Sequence, residues 1–171
     1  MQITDQKLVY DGHFKLRLLS LQDGDDQLKR ERFEPGRSVA ALVLDTAQQR
    51  YLFVRQYRIG PEQEILEIPA GMLDPGESAE TAIRRELQEE LGYDVDRLEP
   101  LAEFYASPGT SAELMSVFYA EVSHQSGAGG GLASEGEKLD VVPLTWEEML
   151  AQRFLDAKTF AAVQWAQLRR K

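Results

Sequence analysis

The pattern of apolar and polar positions is sharpest between residues 78 and 92. Ala79, Ala82, Ile83, Leu87 and Leu91 recur at three- and four-residue spacing, which predicts an amphipathic helix. Asp74-Pro75-Gly76 is turn chemistry, Ser78 stands where an N-cap is needed, and Gly92 supplies a C-terminal stop. Upstream the period is that of strands. Phe14, Leu16, Leu18 and Leu21 partly alternate, Asp23-Gly24-Asp25-Asp26 signals a hairpin, and a charged strand resumes from Lys29 to Phe33. Residues 7–34 therefore read as strands, and Pro35-Gly36 marks a boundary. Val39 to Leu44 and Tyr51 to Tyr57 are runs suited to buried strands, and Ile65 to Pro69 leads towards the helix. Beyond it, Leu98 to Ala106, Leu114 to Val122 and Val141 to Leu144 read as strands, with a glycine-rich loop at 123–138. Thr145-Trp146-Glu147-Glu148 is a capping-box pattern that opens a second helix. Asp156 is placed to cap a last helix running to about Arg170, with Phe160, Val163, Trp165 and Leu168 near helical spacing. This alternation predicts an α/β (α+β) protein with a mixed sheet and helices packed on it.

The first helix carries a second pattern. Glu86, Glu89 and Glu90 fall on one side of it, and each like-charge pair costs a bare helix roughly 0.2–0.5 kcal/mol. Arg84, Gln88 and Thr81 take the water-facing side, whereas Glu86 and Glu90 border the apolar stripe. A solvated charged face does not account for acids beside a core. A hard divalent cation bound through carboxylate oxygens does.

Composition narrows the partners. A chain of 171 residues predicts one domain with a small appendage. A net charge of −10 repels a phosphate backbone, so a general nucleic-acid binder is excluded. A small phosphate-containing substrate remains open, because bound cations reverse the local potential. The absence of cysteine removes disulfides and thiolate chemistry and is compatible with a reducing cytoplasm. No apolar run is long enough to span a bilayer and no signal peptide opens the chain, so the expectation is a cytoplasmic protein with no membrane partner.

The segment from Gly71 to Tyr93 resembles the Nudix box, a glycine, then Glu, then Arg-Glu-apolar-x-Glu-Glu-x-Gly-apolar. Gly71, Glu77, Arg85, Glu86, Leu87, Glu89, Glu90 and Gly92 all occupy its positions, and Tyr93 departs mildly at the last apolar one. The resemblance implies an α/β/α sandwich over residues 37–171. It also implies that residues 1–36 form a β segment exchanged across a homodimer. It implies Mg2+, for which Mn2+ can substitute, with Glu86 and Glu90 as ligands, Glu89 close by and the main-chain carbonyl of Ala70 joining them. Gly71 would let the main chain approach the ion, and Arg85 with Glu77 would orient the ligands. No further cofactor is implied, and the family hydrolyses nucleoside diphosphates linked to another moiety.

Three further segments extend the resemblance. Ser107-Pro108-Gly109-Thr110-Ser111-Ala112-Glu113 resembles a loop of ADP-ribose pyrophosphatases, which implies that Pro108, Gly109 and Glu113 contact the terminal ribose side. The layout is shared with GDP-mannose hydrolases. Gly131 to Leu139 resembles a mobile loop carrying the general base, with Glu135 the first choice and Glu137 the second. Glycines 127, 129, 130 and 131 would supply flexibility for closure. Arg55 and Arg58 are candidate phosphate contacts, Arg58 by resemblance to the ADP-ribose branch. Phe33 or Tyr57 is a candidate to stack on adenine, against the commoner role of core packing. The implied reaction is Mg2+-dependent hydrolysis of ADP-ribose to AMP and ribose 5-phosphate. The alternative is another nucleoside-diphosphate sugar such as GDP-mannose. A non-catalytic binding module is the other class, and the intact box argues against it.

Overall fold

Ser78 caps the first helix as its position predicts. Its hydroxyl accepts a hydrogen bond from the Thr81 N–H at 3.1 Å, and α1 runs Ala79–Leu91 to a left-handed Gly92. The structure is a computed structural model that describes residues 1–131 and 138–170. Ala82, Ile83, Leu87 and Leu91 on α1 are fully buried. They pack on β4 (Arg37–Asp45), β5 (Arg50–Arg58) and β9 (Leu114–Gln125) through Val39, Ala41, Val43, Leu52, Val54, Phe118, Ala120 and Val122. Each buried Ile or Leu side chain contributes about 1.5–3 kcal/mol, so this face holds the helix in place.

Alternate residues of the same strands face the other way. Phe53 stacks on Phe154 at 5.3 Å, Tyr51 meets Trp146 at 5.8 Å, and Tyr119 meets Trp165 at 5.7 Å. Trp146 belongs to α2 (Trp146–Ala151) and Trp165 to α3 (Ala157–Arg169). The mixed sheet between the helices runs β10 (Asp140–Leu144), β5, β4, β9, β8 (Tyr93–Tyr105). Two short strands join it, β6 (Gln63–Glu67) beside β5 and β7 (Ala70–Met72) beside β4. This is the α/β/α sandwich anticipated for the larger part of the chain.

The chain clusters into two compact units, one of Met1–Arg37 with Phe104–Met115, the other of Ser38–Glu103 with Ser116 onward. In the first, β1 (Gln2–Asp11), β2 (Lys15–Asp23) and β3 (Asp26–Glu34) form an antiparallel sheet in that order. The Thr110–Ala112 segment joins the β3 edge. The Phe33 N–H donates to the Thr110 carbonyl at 2.8 Å, and the Ala112 N–H donates to the Phe33 carbonyl at 2.9 Å. No helix among the described residues is long and apolar enough to cross a membrane.

Three element readings differ from the sequence pattern. The first strand starts at Gln2 instead of residue 7, because backbone pairing with β2 needs no apolar alternation, and the Thr4 hydroxyl adds a bond to the Ser20 carbonyl at 3.2 Å. β8 starts at Tyr93, directly after the helix cap, and not at Leu98. On α3 the buried face is Lys158, Thr159, Ala162, Val163 and Ala166, while Phe160 and Leu168 are exposed at 56% and 68%. The first turn of α3 faces a buried acid on β6, so polar residues fill a face that periodicity assigned to apolar ones.

Candidate active site

The candidate site is assembled on α1 and the strand that precedes it. Arg85 is its hub. Its Nε and Nη2 donate to the two oxygens of Glu77 at 3.2 and 3.0 Å, and Nη2 also reaches the Met72 carbonyl at 3.0 Å. Its Nη1 donates to Glu86 at 2.8 Å and Glu89 at 3.0 Å. One guanidinium thus ties the turn before the helix, β7 and three of the four box acids together. The Glu77 bonds, with the Glu86 charge beside them, hold the Arg85 proton more firmly than usual. The Glu77 carboxyl is lowered, first by the Arg85 bond and then by the Asp74 N–H.

Glu86 and Glu90 are 7% and 1% exposed, so the helix margin that carries them is sunk into the protein. Glu90 accepts a hydrogen bond from the Ala70 N–H at 3.2 Å. At Gly71 a Cβ would lie 1.9 Å from Glu86 Oε1 and 2.0 Å from its carboxyl carbon. A side chain at this position would have to displace the Glu86 carboxylate, which occupies that space. Tyr93, at the departing position of the box, has its own account. Its hydroxyl donates to buried Asp45 at 3.0 Å, and burial, followed by that carboxylate, raises its pKa.

The donor set suits a hard divalent ion, with three carboxylates along one edge and the Cβ-free cradle at Gly71 giving Glu86 its room. In this conformation Glu86 and Glu89 turn onto Arg85 and Glu90 onto Ala70. Among the described residues no three acid or histidine side chains converge on one point.

The glycine-rich segment departs from expectation. Its first half docks on the end of α1 instead of hanging free. Gln125 Nε2 donates to the Leu91 carbonyl at 3.2 Å. The Ser126 and Gly127 N–H groups donate to Gly92, that of Gly130 to Glu90 and that of Gly131 to Glu89, all within 3.1 Å. The last-turn carbonyls that a helix leaves open are thereby satisfied. A Cβ at Gly129, whose φ is 65°, would lie 2.7 Å from the Leu91 carbonyl carbon. Close backbone approach is what this glycine permits. Glu135 and Glu137 lie outside the described residues.

The remaining candidates are dispersed. Arg55 is exposed and makes no ion pair among the described residues. Arg58 donates from Nε to Glu67 at 2.6 Å. Pro108 and Gly109 are exposed and Glu113 is half-buried, in the unit that contains β1 to β3. There Phe33 packs edge-on against Phe14 at 5.2 Å. Tyr57 is 58% exposed and is not a core residue. A cavity of about 490 Å³ opens on the sheet face away from α1, lined in part by Tyr51, Tyr119, Trp146 and Trp165, and no box carboxylate reaches it.

Sequence reasoning missed a buried polar group beneath Arg58. Glu67, 1% exposed, also accepts from Lys158 Nζ, which reaches Asp156 at 3.1 Å. Thr159 accepts from the Ile68 N–H at 2.9 Å and donates to Asp156 at 2.6 Å. The available signal was an acid within the apolar run Ile65 to Pro69 and a lysine two residues after the cap of α3.

Comparison with known proteins gives the family. The NUDIX domain model matches residues 34–165. The chain belongs to the Nudix family and is a Nudix hydrolase. It is 36% identical to a methanol dehydrogenase activator of Bacillus methanolicus, over 91% of this chain and 88% of that one. It is 37% identical to an ADP-ribose pyrophosphatase of Bacillus subtilis, covering 82% and 77%. It is 32% identical to a GDP-mannose pyrophosphatase of Cronobacter sakazakii, covering 99% and 96%. In fold it matches the crystal structure of an ADP compounds hydrolase with a TM-score of 0.83, covering 98% of this chain and 92% of that one at 23% identity.

Proposed function

We propose that this protein hydrolyses the diphosphate of ADP-ribose to AMP and ribose 5-phosphate in a Mg2+-dependent reaction. The observation that carries the reading is the acid edge of α1, where Glu86 and Glu90 are buried and Gly71 leaves room for the Glu86 carboxylate. Glu86 and Glu90 would hold Mg2+, with Glu89 beside them and the Ala70 carbonyl as a further donor. Mn2+ would be accepted by the same oxygens. When bound, the ion supplies charge neutralisation to the diphosphate and acidity to a water.

The protein's own groups supply position and the proton acceptor. Arg85, fixed on Glu77, would set the orientation of Glu86 and Glu89. Arg58 and exposed Arg55 would meet the diphosphate charge, and Pro108, Gly109 and Glu113 the distal ribose. Glu135, with Glu137 as second choice, would take the proton of the attacking water. The anchoring of Gly131 to the Glu89 carbonyl supports this. Water adds to one phosphorus, the bridging P–O bond breaks, and the leaving phosphate carries away the electron pair.

The Bacillus subtilis relative supports ADP-ribose as substrate, and the Cronobacter relative favours a second reading, GDP-mannose. Residues 1–36 are proposed to form a homodimer. β1 is an edge strand bearing exposed Ile3, Val9 and Tyr10, which suits pairing with a second copy. Turnover of a nucleotide-sugar panel with and without Mg2+ tests the reading. Cleavage of ADP-ribose to AMP is expected, and inactivity on it beside brisk GDP-mannose turnover would transfer the assignment.

A further inference from the structure

We infer that Glu67 is a positioning residue that aims Arg58 at the substrate diphosphate, an inference that rests on the proposed role of Arg58. Glu67 sits at the end of β6, opposite Val54 of β5, with its side chain sealed from water. A carboxylate so buried persists only when its oxygens are matched by donors. Each oxygen has one. Arg58 Nε takes Oε1 at 2.6 Å and Lys158 Nζ takes Oε2.

The division of labour is in the geometry. Arg58 is 39% exposed on its side chain, whereas Lys158 is 8% exposed. Glu67 grips the guanidinium by the single nitrogen nearest the chain. The two terminal nitrogens make no hydrogen bond among the described residues. That leaves the bidentate Nη edge, the edge that matches a phosphate, pointing away from the carboxylate. Lys158 closes the second oxygen of Glu67, so the acid cannot swing to take that edge as well. Asp156 and Thr159 then fix Lys158 and the Ile68 amide to the start of α3. Two acids balance two bases, and the arginine is the most exposed of the four. A flexible arginine would lose rotamer freedom on gripping substrate, and one already held loses less.

The test uses Glu67→Asp, which keeps the buried charge and withdraws the oxygen from Arg58, together with Arg58→Ala and the double variant of the full chain. Expected results for Glu67→Asp are a KM for ADP-ribose about tenfold higher and a kcat within about twofold, the signature of lost ground-state binding. ADP binding by calorimetry should weaken to the same extent, with Mn2+ affinity unchanged. In the double variant, ADP should bind no more weakly than to Arg58→Ala alone, because the acid acts through the arginine. Multiplying effects, wild-type ADP affinity in Glu67→Asp, or equal falls in kcat and Mn2+ affinity would overturn the inference. The ADP titration needs no turnover, so a protein inactive on ADP-ribose would refute the proposed reaction and leave this question decidable.

Discussion

Replacing Gly71 by alanine puts the spatial logic of the site under direct strain. The new methyl would lie 1.9 Å from Glu86 Oε1, 2.0 Å from its carboxyl carbon and 2.3 Å from Oε2. To regain an ordinary contact of 3.4 Å the carboxylate must retreat by about 1.5 Å. It cannot retreat freely, since it is 7% exposed and is bonded to Arg85 at 2.8 Å. Overpacking of this kind costs roughly 1–3 kcal/mol, which for a chain of this size lowers Tm by about 2–12 °C. The effect on chemistry should be larger. A metal-binding oxygen misplaced by more than about 1 Å is expected to lower kcat by about 10²-fold. Mn2+ affinity, read by electron paramagnetic resonance, should fall at least about tenfold. Gly60→Ala is the control, because nothing lies within 4 Å of its added carbon. If Gly71→Ala bound Mn2+ and turned over as the unsubstituted protein does, the cradle would have no part in holding Glu86.

Other expectations follow from the same geometry. Glu90→Gln should remove most activity and Mn2+ binding while Tm stays nearly constant, since the amide oxygen can still accept from Ala70. Parallel losses of Tm and activity would contradict this. Gly129→Ala should undock the segment that caps α1, lowering Tm and raising amide exchange at Gly130 and Gly131. Unchanged exchange there would count against the cap. Glu77 and Glu148 have carboxyls below the ordinary 4.5, the first through Arg85 and the second through the Thr145 N–H. Their contribution is complete above pH 4.5 and is lost as pH falls through the lowered values. An acid limb in Tm should therefore appear below that point and flatten in Glu77→Gln. Burial, first of all, raises the Tyr93 and Tyr119 hydroxyls above 10.0, so stability should be full below pH 10.0 and decline above it. A Tm that held level above that pH would refute the alkaline arm.

Local rules in the sequence determined a good deal. The Ser78 cap, the Gly92 stop, the stripe Ala82, Ile83, Leu87 and Leu91, and the capping box at Thr145 depend on neighbours within one helical turn, and all stand in the structure. The placement of Glu86 and Glu90 beside the core was legible for the same reason, because a fixed 100° per residue carries the stripe and the acids together. What spacing cannot express is which distant backbone a side chain meets. That Gly71 makes room for Glu86, fifteen positions along the chain, follows from β7 lying against α1. That residues 126–131 cap the helix follows from β9 ending beside Gly92. The buried face of α3 was misread because Lys158 and Thr159 answer to Glu67 and Ile68, ninety-one residues away in both cases. Burial of a polar side chain is decided by its partner, and only the tertiary structure brings that partner into reach.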